Sequence, residues 1–64
     1  MVSQYDIFAG HPDIGFLWLE AAETLEAAKE RMKCLARSNP DRGYFIYCSK
    51  TSKVVARSDE KDSN

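Results

Sequence analysis

Histidine occurs once, cysteine twice and glycine three times in 64 residues, and each scarcity removes a class of chemistry. His11, Cys34 and Cys48 lack the paired spacing of a zinc site, the two cysteines lying 14 positions apart. A Cys–His nucleophile would have to join His11 to one of those thiols, and no third group to orient the imidazole is evident. Gly10 and Gly15 bracket a short connection instead of preceding a helix, so no phosphate cradle is expected. No apolar run approaches the roughly 18 residues that span a bilayer. Met1 to Asp6 contain no basic segment and lead into no long apolar stretch, so no signal peptide is expected. Two cysteines are also too few for the disulfide lattice of small secreted domains. The expectation is a reduced, cytoplasmic, bacterial-type protein that is not an enzyme and has no catalytic residue, metal or cofactor.

Lysine and arginine are absent from the first 28 residues, where Asp6, Asp13, Glu20, Glu23 and Glu26 give a charge of −5. Residues 29–57 hold eight basic and two acidic side chains, giving +6, and the last seven residues return −2, for a net −1. Such asymmetry can mark a nucleic-acid-binding half. With a pI near 5.7, it is read instead as two halves that compensate when folded together, each exposed pair contributing little. The composition, 44% apolar and 30% charged, suits a globular chain rather than a disordered one. At this length only about 60% of the unfolded surface is buried on folding, so the stability margin is small.

Along the chain, Tyr5–Ala9 is rich in aromatic and β-branched residues and predicts a strand. Gly10-His11-Pro12-Asp13-Ile14-Gly15 breaks it, and Phe16–Glu20 predicts an antiparallel partner across that six-residue connection. Thr24 is a helix N-cap, and Glu26 suits the positive helix start. Leu25, Ala28, Met32, Leu35 and Ala36 fall on one stripe at helical spacing, predicting a helix near residues 25–38. Asn39-Pro40 and Gly43 stop it. Tyr44–Cys48 is the strongest strand, and Val54–Arg57 returns beside it after the polar run from Ser49 to Lys53. Residues 1–57 form one domain in this reading, and the polar residues 58–64 are a frayed tail.

The order β-β-α-β-β packs most economically as a single α+β domain: one four-stranded antiparallel sheet made of two hairpins, with the helix across one face. The order of the strands within the sheet is left open. Alternation places Ile7, Leu17, Leu19, Tyr44, Ile46, Val54 and Ala56 under the helix. Phe8, Phe16, Trp18, Phe45, Tyr47 and Val55 then fall on the open face, more apolar surface than a sheet leaves wet without cause. A one-residue bulge at Gly15-Phe16 would reverse the placing of Trp18.

The succession of Trp18-Leu19-Glu20, a capped Ala/Glu/Lys-rich helix, Asn39-Pro40, Gly43-Tyr44-Phe45 and a Thr51-centred hairpin ending Val54-Val55-Ala56 resembles short uncharacterised bacterial proteins of β-β-α-β-β pattern. The resemblance covers most of residues 5–57 and implies the fold; no activity comes with it.

His11-Pro12-Asp13 matches the tripeptide of J-domain co-chaperones, but there it follows a long basic helix, whereas here it follows a strand. A turn bent by proline is the simpler reading. Cys34 projects opposite the apolar stripe among Arg31, Lys33 and Arg37, which favour a thiolate, so it is a candidate reactive thiol, an incidental exposed cysteine being the simpler reading. Cys48 reads as a small core residue on the far side of the helix layer, which argues against a disulfide between the two. The open-face aromatics leave three readings. A protein partner or a second copy in a homodimer comes first, and aromatics curled over the core edges come second. Single-stranded nucleic acid stacked on the rings, with Lys50, Lys53 and Arg57 on phosphates, comes third.

Overall fold

The computed structural model describes residues 4–58. Strands β1 (Tyr5–His11) and β2 (Gly15–Ala22) are followed by helix α1 (Leu25–Ser38) and strands β3 (Tyr44–Cys48) and β4 (Lys53–Arg57). All neighbours are antiparallel in the order β2-β1-β3-β4, so each hairpin supplies one inner and one edge strand. The expected sheet and single packed helix are present.

The helix has the expected bounds because its signals are local. The Thr24 hydroxyl accepts from the Ala27 backbone N–H at 3.1 Å, and the Asn39 N–H donates to the Leu35 carbonyl at 3.0 Å. Ala28 and Met32 are buried, with Leu25, Leu35 and Ala36 half-buried beside them, as the stripe predicts. They close over Ile7, Ala9, Tyr44 and Ile46.

The first hairpin connection is shorter than expected. Gly10 and His11 remain paired to Phe16 and Gly15, leaving only Pro12, Asp13 and Ile14 outside the strands. Gly10 makes this possible. Its φ of +116° lies in the region that side chains avoid, and a Cβ there would run into the Gly15 carbonyl. Its N–H donates to the Gly43 carbonyl at 2.7 Å, tying the hairpin to the segment that leads into β3.

Two bulges correct the assignment of faces. Ile7 pairs with Glu20 but Phe8 pairs with Trp18, so Leu19 is an extra residue in β2. A slip of one residue moves every later side chain to the other face. Glu20 and Ala22 therefore join Leu19 on the helix side, and Ala21 turns away. Leu17, expected under the helix, shares the register of inward Ala9 but is largely exposed, because α1 covers the Leu19–Ala22 end of β2 and stops short of it. In β4, Ile46 pairs with Ala56 and Tyr47 with Val54, making Val55 the extra residue. Val54 thus leaves the helix side and shares the open face with Tyr47.

Ser58, the first residue of the expected tail, is bonded to the start of β3. Its N–H donates to the Tyr44 carbonyl at 2.8 Å, and its hydroxyl accepts from the Tyr44 N–H at 2.8 Å. The remainder of the expected tail, 59–64, lies outside the described residues.

Candidate interaction surface

The open face is built on Phe8, which lies opposite Trp18 on one side and Phe45 on the other. Phe8 stacks on Phe45 with ring centres 5.0 Å apart and planes 8° apart. Phe16 stands edge-on to both, at 5.2 Å from Phe8 and 5.5 Å from Phe45, and Tyr47 stands edge-on to Phe8 at 6.4 Å. These geometries suit the ring quadrupole and are worth about 0.5–1.5 kcal/mol per pair beyond burial. Phe45 is only 3% exposed despite having no helix above it, so it supports the face from below. Phe8 and Tyr47 are half-buried.

The apolar surface that remains is concentrated on β2. Phe16 and Trp18 are 55% and 53% exposed on the open face, Leu17 is 65% exposed on the other face, and Ile14 is 86% exposed at the hairpin tip. Trp18 lies on the open face as alternation predicts, because the bulge falls after it. Its indole N–H donates to the Asp6 carboxylate at 3.2 Å, and its ring stands outside the set packed around Phe8. Val55, at the β4 bulge, is half-exposed. The sequence reading missed Ile14 and Leu17. The signal for them was the uninterrupted apolar run beside a turn, which only the strand order turns into an exposed edge.

Charge frames this surface unequally. On the helix side, the Arg31 guanidinium grips Glu20 with Nε 3.1 and 3.2 Å from the two carboxylate oxygens and Nη2 2.9 Å from one. The hydrogen bond and the charge of Glu20 raise the Arg31 pKa. Glu20 is thereby neutralised beside β2. Lys53 and Arg57 stand on β4, three strand spacings from β2, or about 14 Å, and Arg57 lies opposite Phe45.

The thiols stand apart from this surface. Cys34 is exposed on the outer side of α1, as its helical position predicts, and Cys48 is buried at the end of β3. Hydrogen bonds from the Thr51 side chain and backbone lower the Cys48 pKa. Among the described residues, no three of the types His, Cys, Asp and Glu come together as a metal-binding group. No helix among these residues is long and apolar enough to cross a membrane. No protein-family model, curated protein or solved structure matches the chain.

Proposed function

We propose that this chain is a small, non-enzymatic protein-interaction module of cytoplasmic, bacterial type, which binds through the open sheet face at its β2 side. The observation that carries the reading is the pair Phe16 and Trp18, each more than half exposed on rings that are otherwise closed against one another. Exposed aromatics on a rigid base are the usual anchors of protein interfaces, since little side-chain freedom remains to be lost on binding. Phe45 and Phe8 supply that base. A nucleic-acid platform is less well supported, because it would need phosphate-binding cations around the stacking rings. Of the β4 cations only Arg57 stands beside the rings, opposite Phe45, while Lys53 pairs with Cys48 on the helix side, and the side nearest Trp18 presents Asp6.

The test compares wild type with Trp18→Ala by quantitative affinity capture, with circular dichroism as the control for folding. Association is expected to weaken by about 2 kcal/mol or more while the spectrum stays unchanged. Unaltered capture by a folded Trp18→Ala protein would remove the basis of the reading. Binding to single-stranded RNA or DNA that falls steeply with added salt would favour the nucleic-acid alternative.

A further inference from the structure

The apolar surface of β2 wraps around an edge strand. Phe16 and Trp18 project on the open face, and Leu17 between them projects on the helix face, all exposed. A partner lying flat on the open face would cover the two aromatics and leave Leu17 wet. A strand added along the edge covers both faces at once, because its own alternate side chains flank each of them. Among the described residues no strand lies beside β2 on its outer side.

The two edges differ in how they meet a copy of themselves. β4 carries a cation at each end, Lys53 opposite Cys48 on the helix side and Arg57 opposite Phe45 on the open side, so an approaching copy meets positive charge on both faces. Cations along an edge are its usual protection, whereas a bulge is common to both edge strands, at Leu19 in one and at Val55 in the other. An antiparallel β2–β2 pair centred on Leu17 opposes Phe16 with Trp18 and Gly15 with Leu19, an aromatic cross-strand pair and no charge at all. Glu20, beyond the bulge at Leu19, faces the helix side, where Arg31 holds its carboxylate.

The available area points the same way. At about 150–250 Å² per large apolar side chain, the exposed parts of Ile14, Phe16, Leu17 and Trp18 total roughly 450 Å² per copy. With the strand backbone added, this reaches the lower end of specific interfaces, about 1,000 Å² in total. We propose that a second copy of this chain pairs antiparallel along β2, with Leu17 at the twofold axis, joining two sheets into one of eight strands. The inference rests on reading the β2 surface as an interaction surface, and it adds the occupant and the mode of pairing.

The experiment is sedimentation equilibrium on wild type, Leu17→Lys and Val55→Lys, joined to amide hydrogen exchange by NMR at high and low concentration. Wild type is expected to dimerise with a Kd on the order of 10–100 µM, as befits an interface of this size. Leu17→Lys should raise that Kd at least about tenfold, and Val55→Lys should leave it unchanged. The outward amides of residues 15–18 should become protected only in the dimer. A wild type still monomeric near ~1 mM overturns self-pairing but leaves binding of another protein through Phe16 and Trp18 standing. A dimer in which those amides stay unprotected overturns the edge pairing and leaves the open face as the contact. Growth beyond the dimer overturns it as well, since that is head-to-tail addition of β2 to β4. The exchange measurement uses wild type alone, so the proposal is testable even if Leu17→Lys does not fold.

Discussion

In the first hairpin, the inner strand β1 and edge strand β2 are joined by a turn bent at Pro12, and the unusual backbone conformation falls on Gly10. In the second, the inner strand β3 and edge strand β4 are joined by the four residues Ser49–Ser52, and the unusual conformation falls on Ser52, at φ +57°. Both edge strands carry one extra residue opposite their inner partner, Leu19 in one and Val55 in the other. The inner strands meet as near equivalents, Ile7 against Ile46 on the helix side and Phe8 against Phe45 on the open side. The hairpins therefore agree where they build the core and diverge at their outer edges, where one presents apolar residues and the other cations. Stability resides in the shared centre, and the exposed apolar surface lies along the edge that differs.

The largest effects should appear at that centre. Ile7 and Ile46 are both fully buried, so either one changed to alanine is expected to cost about 2–5 kcal/mol, and by similar amounts. For a chain of this length that is most of the roughly 3–10 kcal/mol available, and urea titration of the two variants checks the equivalence. The aromatic pair should be unequal. Phe45→Ala is expected to cost about 3–5 kcal/mol, because Phe8 and Phe16 both cover that ring. Phe8→Ala should cost less, its ring being only half-buried. Equal losses at Phe8 and Phe45 would mean that Phe16 does not close the second hairpin's ring as described.

The sequence conveys the centre well and the edges poorly, for a physical reason. The Thr24 cap, the stripe from Leu25 to Ala36 and the alternation through Tyr5–Ala9 are local patterns, and each element matches its pattern. The bulges at Leu19 and Val55 are properties of pairing between strands, so alternation within one strand cannot reveal them. One slip was enough to carry Glu20 to the helix side, where Arg31 holds it, and another carried Val54 away. Leu17 differs in kind: alternation gives its face, but the reach of the helix over the sheet depends on how the two pack. The rings around Phe8 lie on the face that alternation predicts. Burial of Phe45 followed from its neighbours in the strand order β2-β1-β3-β4, which no single segment encodes.

The two left-handed residues offer a smaller test with opposite signs. Gly10→Ala is expected to destabilise by about 1–3 kcal/mol, because the new Cβ meets backbone that cannot move aside. Ser52→Gly should stabilise by up to about 1 kcal/mol, since relief of a left-handed penalty of about 1–2 kcal/mol is partly offset by the extra freedom of glycine in the unfolded chain. Thermal unfolding of the two variants shows whether the hairpins differ only in which residue occupies the left-handed position. A destabilised Ser52→Gly protein would mean that the serine side chain contributes a contact of its own to the turn.

The smallest effect is one of pH, and it belongs to the second hairpin alone. The Cys48 thiol lies under the β3–β4 turn, where the Thr51 hydroxyl and N–H bond to it and the Ser52 N–H donates to the Cys48 carbonyl at 2.7 Å. Bonds to sulfur that favour the thiolate lower its pKa in the folded state. A group whose folded pKa is lowered releases its proton earlier in the folded chain, so folding gains from deprotonation. The gain is complete above the ordinary thiol value of about 8.5 and is lost as pH falls through the lowered folded value. Wild type should therefore gain stability relative to Cys48→Ser as pH rises through that window, as read from denaturation midpoints of both proteins at each pH. Thr51→Val, which removes the hydroxyl and keeps the shape, should flatten most of that difference. If the two midpoints run parallel across the window, the Thr51 bonds do not act on the thiolate, and Cys48 is simply a small buried side chain at the strand end.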